Sequence, residues 1–338
     1  MEHKYENKNI LVTGGVGTIG KALVQKLLNE KPRSIRVLDI DENRLFKTTQ
    51  SKNSSKIRSF IGDIRDKDRV KRAIKGTDIV FHAAALKQVP LCEYNAFEAV
   101  KTNVIGTQNL IDVAIDENID KFITISTDKA VNPINVMGAT KLLAERLTIS
   151  ANIYKGKSDT RFSCCRFGNV LNSRGSVIPL FINQIKTQKK ITITDERMTR
   201  FIMTLEKAVD LVLEVGKISN GGEIFILKMP AVKISQLAEA LIEQVSEKYS
   251  LNPEEIKIEH IGKRPGEKLS ENLITPSEYV NCYESEKMYL VLPQYEELYH
   301  ENLETPPGFT LMKNTPPSSR DDLLNQEKIY ELLKKIEL

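Results

Sequence analysis

An acid and a base stand next to each other where an apolar run ends. Phe122 to Ile125 is typical of a buried strand, and the polar run Ser126-Thr127-Asp128-Lys129 follows it directly. A neighbouring carboxyl and amine can move protons as acid and base. Met137 and Lys141 are one helical turn apart, so both lie on one face of the helix predicted there. The pattern indicates proton chemistry at the carboxyl end of a strand.

A glycine-rich segment follows the first predicted strand and opens the first predicted helix. It reads Thr13-Gly14-Gly15-Val16-Gly17-Thr18-Ile19-Gly20. Glycines let the backbone turn sharply and approach a pyrophosphate, which the amino end of the helix stabilises. We therefore predict a nicotinamide dinucleotide held by Gly14, Gly17, Thr18, Ile19 and Gly20. A hydride carrier beside an acid–base pair favours a dehydratase over a simple dehydrogenase or epimerase, because a proton and a water move as well.

The carboxylate of Asp39 ends the second predicted strand, about twenty residues after the last glycine of the loop. At this position a carboxylate accepts hydrogen bonds from the adenosine ribose and repels a 2′-phosphate. The position favours NAD over NADP, with NADP as the alternative. The other interpretation is that Asp39 or Asp41 caps the next helix.

Two further strand ends are assigned to the cofactor site. Asp63, with Ile64 beside it, is predicted to accept a hydrogen bond from the adenine amino group. Ala83 and Ala84 are small, so they let the backbone pass close to the cofactor. His82, which precedes them, is expected to be structural.

Short apolar runs alternate with amphipathic segments through the first half of the chain. The alternation predicts an α/β fold with a Rossmann-like, doubly wound parallel sheet covered by helices on both faces. We expect residues 1–168 to form the NAD(P)-binding domain. Residues 169–338 are expected to form a smaller, mixed α/β substrate-binding domain, with some segments returning to the Rossmann sheet. Residues 99–115 are predicted as a helix and residues 306–320 as a loop.

The composition is typical of a globular protein in a reducing compartment. Hydrophobic residues are 41% and charged residues 28% of the chain, and the net charge of +4 is spread along it. We therefore expect no nucleic-acid partner. The four cysteines lack zinc spacing, so we expect buried free thiols and no metal. The polar amino terminus and the lack of a long apolar stretch predict a cytoplasmic protein without a membrane contact.

The motifs together resemble the extended short-chain dehydrogenase/reductase superfamily. The landmarks are the glycine loop, Asp63, Ala83-Ala84-Ala85, Asn103 and Lys141. The resemblance is closer to the UDP-N-acetylglucosamine 4,6-dehydratase family of polysaccharide and glycan biosynthesis, over most of the chain. The motifs that carry it are Ala85-Leu86-Lys87-Gln88-Val89-Pro90, the run from Ser126 to Pro133, Arg166-Phe167-Gly168-Asn169-Val170, Met198-Thr199-Arg200-Phe201 and Arg264-Pro265-Gly266-Glu267-Lys268.

Two positions depart from the patterns of relatives. Many superfamily members carry tyrosine where this chain has Met137, and a thioether can neither give nor take a proton. Some branches of the dehydratase family also carry methionine, including forms with added membrane spans, and this chain resembles a soluble member of that kind. Asp39-Ile40 stands where some relatives have Ser-Arg and prefer NADP.

The resemblance implies a redox-neutral reaction on UDP-N-acetylglucosamine or a related UDP-sugar. The C4 hydroxyl is oxidised, the C5 proton is removed, water leaves from C6, and hydride returns to C6, which gives a 4-keto-6-deoxy sugar nucleotide. Asp128 is assigned as the acid for the C6 hydroxyl, and Lys129, with a neutral amine, as the C5 base. Thr127 is expected to bind the C4 oxygen and relay its proton, and Lys141 to hold the nicotinamide ribose.

The second half is expected to bind the uridine diphosphate. Asn169, Arg200, Arg264 and Glu267 match family positions that contact the nucleotide, and an arginine fork suits phosphate. Lys87 is expected to reach the substrate or the cofactor. Asn103 matches a cofactor-site landmark, and we expect it to order the backbone near the active strand. A homo-oligomer is also expected.

Three alternatives stay open. A UDP-sugar 4-epimerase would use the same fold and cofactor, but it has no need of the Asp128–Lys129 pair. A combined dehydratase and C5-epimerase is harder to separate, because the base that removes the C5 proton allows its return on the other face. A non-enzymatic dinucleotide sensor is disfavoured, since such proteins usually lose the active lysine and Lys141 is present.

Overall fold

The computed structural model of the protein describes residues 4–50, 54–293 and 305–336. Its strands are β1 (Asn9–Thr13), β2 (Ser34–Asp39), β3 (Ile57–Ile61), β4 (Ile79–His82), β5 (Lys121–Thr127), β6 (Arg161–Phe167), β7 (Asn169–Val170), β8 (Lys190–Ile193), β9 (Thr199–Met203), β10 (Ile224–Leu227), β11 (Ala231–Lys233), β12 (Lys257–His260), β13 (Cys282–Glu284), β14 (Met288–Val291) and β15 (Thr310–Leu311). Its α-helices are α1 (Thr18–Asn29), α2 (Glu42–Thr49), α3 (Lys67–Ile74), α4 (Val89–Tyr94), α5 (Ala96–Val100), α6 (Gly106–Asp116), α7 (Val136–Tyr154), α8 (Val177–Gln188), α9 (Leu205–Ile218), α10 (Ile234–Tyr249), α11 (Pro276–Tyr279) and α12 (Gln326–Leu333).

The main sheet has the strand order β15-β13-β14-β10-β6-β5-β4-β1-β2-β3. The seven strands from β10 to β3 in this order are parallel, whereas β14, β13 and β15 are antiparallel to their neighbours. The predicted doubly wound, Rossmann-like sheet is therefore confirmed. The strand order reverses between β1 and β4, and in such sheets ligands bind in the crevice outside the carboxyl ends of these strands.

Helices cover both faces of the parallel strands because successive strand residues point to opposite sides. In β1, Ile10 and Val12 belong to an apolar core with residues of α1 and α9. Leu11, between them, belongs to a second core with residues of α3 and α6. Burial on both faces explains why these strands read as continuous apolar runs.

Much of the second half forms a layer beside the main sheet. β7, β9 and β11 make a three-stranded sheet, and β8 pairs in parallel with β12. A core that includes Phe181 of α8, Leu241 of α10 and Ile329 of α12 supports this layer. The chain also supplies β10, β13, β14 and β15 to the main sheet from this half.

The helix predicted over residues 99–115 is not regular. α5 passes into a π-helix over Lys101–Ile105, from which α6 continues. A π-turn places one extra residue in the helix and is favoured where a tertiary contact requires it. Here the contact is made by buried Asn103, whose amide bonds the backbone of Leu86 and the hydroxyl of Thr140.

A buried ion cluster joins β6, α7 and α11. The guanidinium of Arg166 is fully buried and donates to both carboxylate oxygens of Glu145 at 2.7 and 3.0 Å. It also donates to both oxygens of Glu278 at 2.9 and 3.0 Å. Because bidentate pairs fix geometry as well as charge, the cluster holds the start of α11 against the sheet.

The segment 306–320 is largely irregular, as predicted, although pairing with β13 adds the short strand β15. None of the helices in the described ranges is long and apolar enough to cross a membrane.

Candidate active site

The polar run Thr127-Asp128-Lys129 lies at the carboxyl end of β5, between β4 and β6 in the main sheet. A single 3-10 turn, Asp128–Ala130, follows the strand, and the Thr127 hydroxyl accepts a long hydrogen bond from the Lys129 backbone N–H at 3.4 Å. The turn brings all three side chains together at the edge of the sheet where ligands bind in this topology.

Asp128 is fully buried, yet only one of its carboxylate oxygens is hydrogen-bonded within the described residues. Oδ1 accepts from the Thr127 hydroxyl at 3.0 Å and from Lys129 Nζ at 2.9 Å. Oδ2 has no such partner. A Cβ on Gly168 would lie 3.2 Å from Oδ2 and 2.7 Å from the Phe201 Cβ, so no side chain fits beside this oxygen. An unpaired buried oxygen is costly unless a ligand supplies the hydrogen bond.

Lys129 links the two halves of the chain. Its Nζ donates to Asp128 Oδ1 and to Asn169 Oδ1, both at 2.9 Å, and a fifth of its side chain is exposed. Asn169 opens β7, so this predicted substrate residue does reach the acid–base pair. The hydrogen-bond length between Lys129 and Asp128 allows a proton to pass between them.

Met137 and Lys141 are both buried on α7, whose first turn is capped by the Asn135 side chain. Met137 packs with Cys92 and Ala99. Lys141 donates from Nζ to the Ile125 carbonyl of β5 at 2.7 Å.

Burial lowers the pKa of Lys141, and Glu145 opposes this effect. His82 lies beneath the site, with ring nitrogens 2.8 Å from the Thr13 hydroxyl and 2.9 Å from the Thr107 hydroxyl. Burial, and secondly the Lys141 charge, lower the pKa of His82 to about 3, so the ring is neutral at physiological pH. Its contacts are those of a structural side chain.

The glycine loop passes very close to the end of β4. Gly14 has a φ of +63°, and a Cβ on it would lie 2.7 Å from the Cα of Ala84 and 2.8 Å from the carbonyl carbon of Ala83. A Cβ on Gly20 would overlap the Gly14 carbonyl. Gly17 is the N-cap of α1 without a side-chain cap, so the first backbone N–H groups of the helix, at Thr18 and Ile19, have no partner within it and suit an anion. The cradle fits a pyrophosphate.

Asp39 stands beside this loop at the end of β2. Its Oδ2 accepts from the Val16 backbone at 3.2 Å and its Oδ1 from the Asp41 backbone at 3.1 Å. Asp41, not Asp39, caps α2 by accepting from the Arg44 backbone. Asp39 is thus held at the edge of the dinucleotide crevice.

Asp63 and Ile64 follow β3. Burial acts to raise the pKa of Asp63, but hydrogen bonds and charge from Arg65 outweigh it and the pKa is lowered. Ile64 is buried in the core between β3 and α6, and its carbonyl accepts from Asn109. The Asp63 carboxylate is therefore already paired with Arg65, so a hydrogen bond from an adenine amino group would be an additional contact.

Lys87 and Asn103 lie near the end of β4 in different surroundings. Lys87 is exposed on the segment that follows Leu86. The Asn103 amide is occupied by its bonds to Leu86 and Thr140, which is the backbone-ordering role expected for it.

The remaining predicted substrate residues are spread over two segments. Arg200 is buried in β9 and donates to the carbonyls of Thr199 and Leu269. Arg264 and Glu267 form an exposed turn, closed by a bond of 3.2 Å from the Arg264 backbone to the Glu267 carboxylate. The Asn135 amide donates to the Gly266 carbonyl at 2.8 Å, so this turn is tied to the start of α7.

Sequence reasoning missed two charged residues next to the acid–base pair. Glu271 is buried, with Oε1 3.8 Å from Lys129 Nζ. Lys268 lies 3.4 Å from Glu271 Oε2 and donates to the Val131 carbonyl at 2.6 Å. Lys268 is the last residue of the motif that begins at Arg264, and it precedes Glu271 by three residues, a spacing that permits an ion pair. Nothing in the sequence, however, links either residue to Lys129.

A third missed residue joins the second half to the glycine loop. The Arg174 backbone donates to the Thr18 hydroxyl at 3.2 Å, and its guanidinium donates to the Val16 carbonyl at 3.3 Å. The segment after β7 therefore contacts the dinucleotide cradle directly.

Comparison with known proteins places the chain among enzymes of nucleotide sugars. The family model described as polysaccharide biosynthesis protein matches residues 10–293. A UDP-N-acetylglucosamine 4,6-dehydratase (inverting) of Campylobacter jejuni is 44% identical over 300 residues, covering 88% of this chain and 86% of that protein. A UDP-glucose 4-epimerase of Rickettsia rickettsii is 39% identical, covering 97% of this chain and 96% of that protein.

Two further similarities cover nearly the full chain. An uncharacterized membrane protein of Methanocaldococcus jannaschii is 59% identical over 332 residues, which is 98% of this chain and 97% of that protein. The X-ray structure of Pen from Bacillus thuringiensis is 43% identical with a TM-score of 0.92, covering 98% of both chains. The resemblance predicted from the motifs is confirmed: the chain belongs to the polysaccharide biosynthesis protein family of the extended short-chain dehydrogenase/reductase superfamily, with UDP-N-acetylglucosamine 4,6-dehydratases among its relatives.

Proposed function

We propose that the protein is a UDP-N-acetylglucosamine 4,6-dehydratase that produces a UDP-4-keto-6-deoxy-N-acetylhexosamine for surface polysaccharide or glycan synthesis. The observation that carries the proposal is the pairing of buried Asp128 with partly exposed Lys129. One oxygen of Asp128 is bonded to Lys129 and Thr127, while the other is unpaired among the described residues. Elimination of water needs an acid and a base in one place, whereas hydride transfer alone does not.

The cofactor proposed for this site is NAD. The glycine cradle would hold the pyrophosphate, Asp39 the adenosine ribose, Asp63 the adenine, and Lys141 the nicotinamide ribose. When bound, the dinucleotide accepts and returns a hydride. Asp39 favours NAD because its carboxylate, fixed by two backbone N–H groups, would repel the 2′-phosphate of NADP.

Thr127 provides a path for the proton of the C4 hydroxyl. Its own hydroxyl donates to Asp128 Oδ1 at 3.0 Å, so a proton taken from the substrate passes through Thr127 to the carboxylate. Met137 offers no proton, and it packs into the α4–α5 layer. The relay through Thr127 replaces the tyrosine hydroxyl found in many relatives.

Asp128 and Lys129 then divide the elimination between them. Lys129 Nζ takes the C5 proton, which is acidic once C4 is a ketone. Asp128 gives its proton to the C6 hydroxyl, which leaves as water. Lys129 returns a proton to C5 when C6 is reduced, so the C4 proton leaves in the water and the C5 proton is restored.

The second half would place the nucleotide. Arg264 and Glu267 are proposed to meet the uridine diphosphate from the turn tied to α7, with Arg200 behind them in β9. Asn169 would contact the sugar, because its oxygen already bonds the Lys129 amine. Lys87, which is exposed, is proposed to meet a phosphate of the substrate or the cofactor.

The rival function is a UDP-sugar 4-epimerase, favoured by the 39% identical Rickettsia relative. Incubation with UDP-N-acetylglucosamine, followed by mass spectrometry, separates the candidates. A product lighter by one water supports the dehydratase, with or without C5 epimerisation. A new isomer of unchanged mass would support the epimerase, and an unchanged substrate a sensor.

NMR of the dehydrated product in deuterated water would distinguish retention from inversion at C5. Equilibrium binding of both cofactors tests the choice of NAD. Tighter binding of NADP would contradict the assignment of Asp39.

A further inference from the structure

We infer that Glu271 is a positioning residue that sets the basicity of Lys129; this inference rests on the proposed function. Glu271 comes from the connection between β12 and α11, and Lys129 from the turn after β5. Glu271 Oε1 lies 3.8 Å from Lys129 Nζ, and only 3% of its side chain is exposed. A carboxylate at this distance favours the protonated amine.

The surroundings of Glu271 indicate that its charge is used, because hydrogen bonding does not account for its burial. Oε2 is buried with no hydrogen bond within the described residues, and Lys268 Nζ approaches it at 3.4 Å in an ion pair of poorer geometry. Burying a carboxylate this way costs free energy unless nearby cations compensate. The compensating cations are the two lysines at the site.

The backbone of Glu271 is fixed independently of its side chain. Its N–H donates to the Ser319 hydroxyl at 2.8 Å, and the Ser319 N–H donates to the Glu271 carbonyl at 2.8 Å. Ser319 is fully buried and also bonds Thr199 of β9. The carboxylate is therefore held beside Lys129 by the fold of the second half.

Charged and polar groups face Lys129 from each packed segment. Asp128 adjoins it in the chain, Asn169 faces it from β7, and Glu271 faces it from the segment before α11. Lys268 lies behind Glu271, and Lys141 of α7 points to the Ile125 carbonyl. Of these groups, Glu271 is the anion that takes no part in the proposed proton transfers.

The consequence for the reaction is a stronger base at C5. When Lys129 takes the C5 proton, an ammonium forms between protonated Asp128 and Glu271, and the Glu271 carboxylate stabilises it. Glu271→Gln removes that charge and keeps the shape. At alkaline pH, where the Lys129 amine is neutral in both proteins, the variant should lower kcat by up to about tenfold with little change in KM, because a weaker base removes the C5 proton more slowly. In the pH profile of kcat, the acidic limb should also shift to lower pH by about one unit.

A measurement without turnover tests the same charge. The neutral form of an amine reacts with acetic anhydride, so peptide mapping after brief acetylation reports how much of Lys129 is neutral. At pH 7, Glu271→Gln should acetylate at Lys129 about tenfold faster than the wild type, as a one-unit shift requires. Lys268→Gln should slow the acetylation of Lys129, because the Glu271 carboxylate then stabilises the protonated form of Lys129 without competition from a second lysine.

Glu223→Gln is the matched control. Glu223 is as buried as Glu271, but it accepts hydrogen bonds from the Ser163 hydroxyl and the Asn220 backbone. These contacts lie near the amino end of β6, whereas the candidate site lies at the carboxyl ends of the strands. It should leave Lys129 acetylation and the pH profile unchanged. Unchanged acetylation of Lys129 in both Glu271→Gln and Lys268→Gln would overturn the inference, even if the wild type dehydrates UDP-N-acetylglucosamine. Absence of a dehydrated product in the wild type would refute the proposed function. The acetylation result would then still decide whether Glu271 acts on Lys129.

Discussion

Asp128 differs from an ordinary buried aspartate in how its two oxygens are used. Oδ1 receives two hydrogen bonds from neighbours in the chain, and Oδ2, packed against Gly168, has no partner in the described ranges. A purely structural aspartate would have both oxygens satisfied, since each unsatisfied buried oxygen costs about 1–3 kcal/mol. In the proposed reaction, this unpaired oxygen would meet the substrate hydroxyl.

Replacement of Lys129 by alanine should block elimination more than oxidation. The C5 proton then has no acceptor, so single-turnover absorbance should show NADH persisting beside a 4-keto sugar that has not lost water. The rate of C5 exchange in deuterated water should fall about 100- to 10,000-fold. Exchange at the wild-type rate would show that another group is the base.

Met137→Ala should retain measurable turnover. Met137 is buried with Cys92 and Ala99, so the loss should appear mainly as a cavity that lowers the free energy of unfolding by about 2–5 kcal/mol. Chemical denaturation and kcat, measured on the same preparation, check this. A loss of activity as deep as that of Asp128→Asn would give the thioether a role that its chemistry does not explain.

At the scale of elements, the site is formed where the ends of the strands meet, and His82 is one of the residues that connect neighbouring elements there. It ends β4, and its ring contacts Thr13 of β1 and Thr107 of α6. The pKa of His82 is lowered to about 3 by burial and by Lys141, so the folded protein keeps the ring neutral. The unfolded chain binds a proton there near pH 6.5.

His82 therefore destabilises the fold as pH falls from about 6.5 toward 3. Below pH 6.5 the unfolded state binds a proton that the folded state refuses, and the free energy of unfolding falls by up to about 1.4 kcal/mol per pH unit. Urea unfolding at pH 7 and pH 5 should show a smaller drop for His82→Asn than for the wild type. Equal drops in the two proteins would contradict the account.

Gly14→Ala should abolish most cofactor binding. Its φ of +63° is strained for alanine, and the new Cβ would press on the backbone of Ala84 at 2.7 Å. Gly156→Ala is a matched control, because Gly156 has a φ of +61° but nothing within 4 Å of the added Cβ. Calorimetric titration with NAD should show a large loss only for Gly14→Ala. Equal affinity in both variants would mean that the loop does not carry the pyrophosphate.

The parallel sheet was predictable because its strands are buried on both faces and appear as apolar runs. The π-helix at Lys101–Ile105 was not, since it depends on the contact between Asn103 and Leu86. Within the site, Asp128 and Lys129 were predictable as a pair because they are adjacent in sequence. Asn169 was predictable because it belongs to the family motif from Arg166 to Val170. Glu271 meets Lys129 only through the folding of the second half, and no local spacing reports that contact.

At the scale of the molecule, the proposed reaction site depends on both halves of the chain. The first half provides the cradle and the acid–base pair, and the second provides Asn169, Glu271 and the contact of Arg174 with the glycine loop. The relatives of this chain include proteins named as dehydratases and as epimerases, so similarity alone does not decide the reaction. The homo-oligomer expected from the sequence stays a prediction, which sedimentation would test.

The most direct measurement is the mass spectrum of the product formed from UDP-N-acetylglucosamine in deuterated water. The Asp128–Lys129 pair predicts that one water is lost and that one deuterium appears at C5, because the Lys129 amine exchanges its protons with solvent. Asp128→Asn should form almost none of this product. An isomer that keeps the mass of the substrate and takes up no deuterium would contradict the account, because it would show hydride transfer at C4 without elimination.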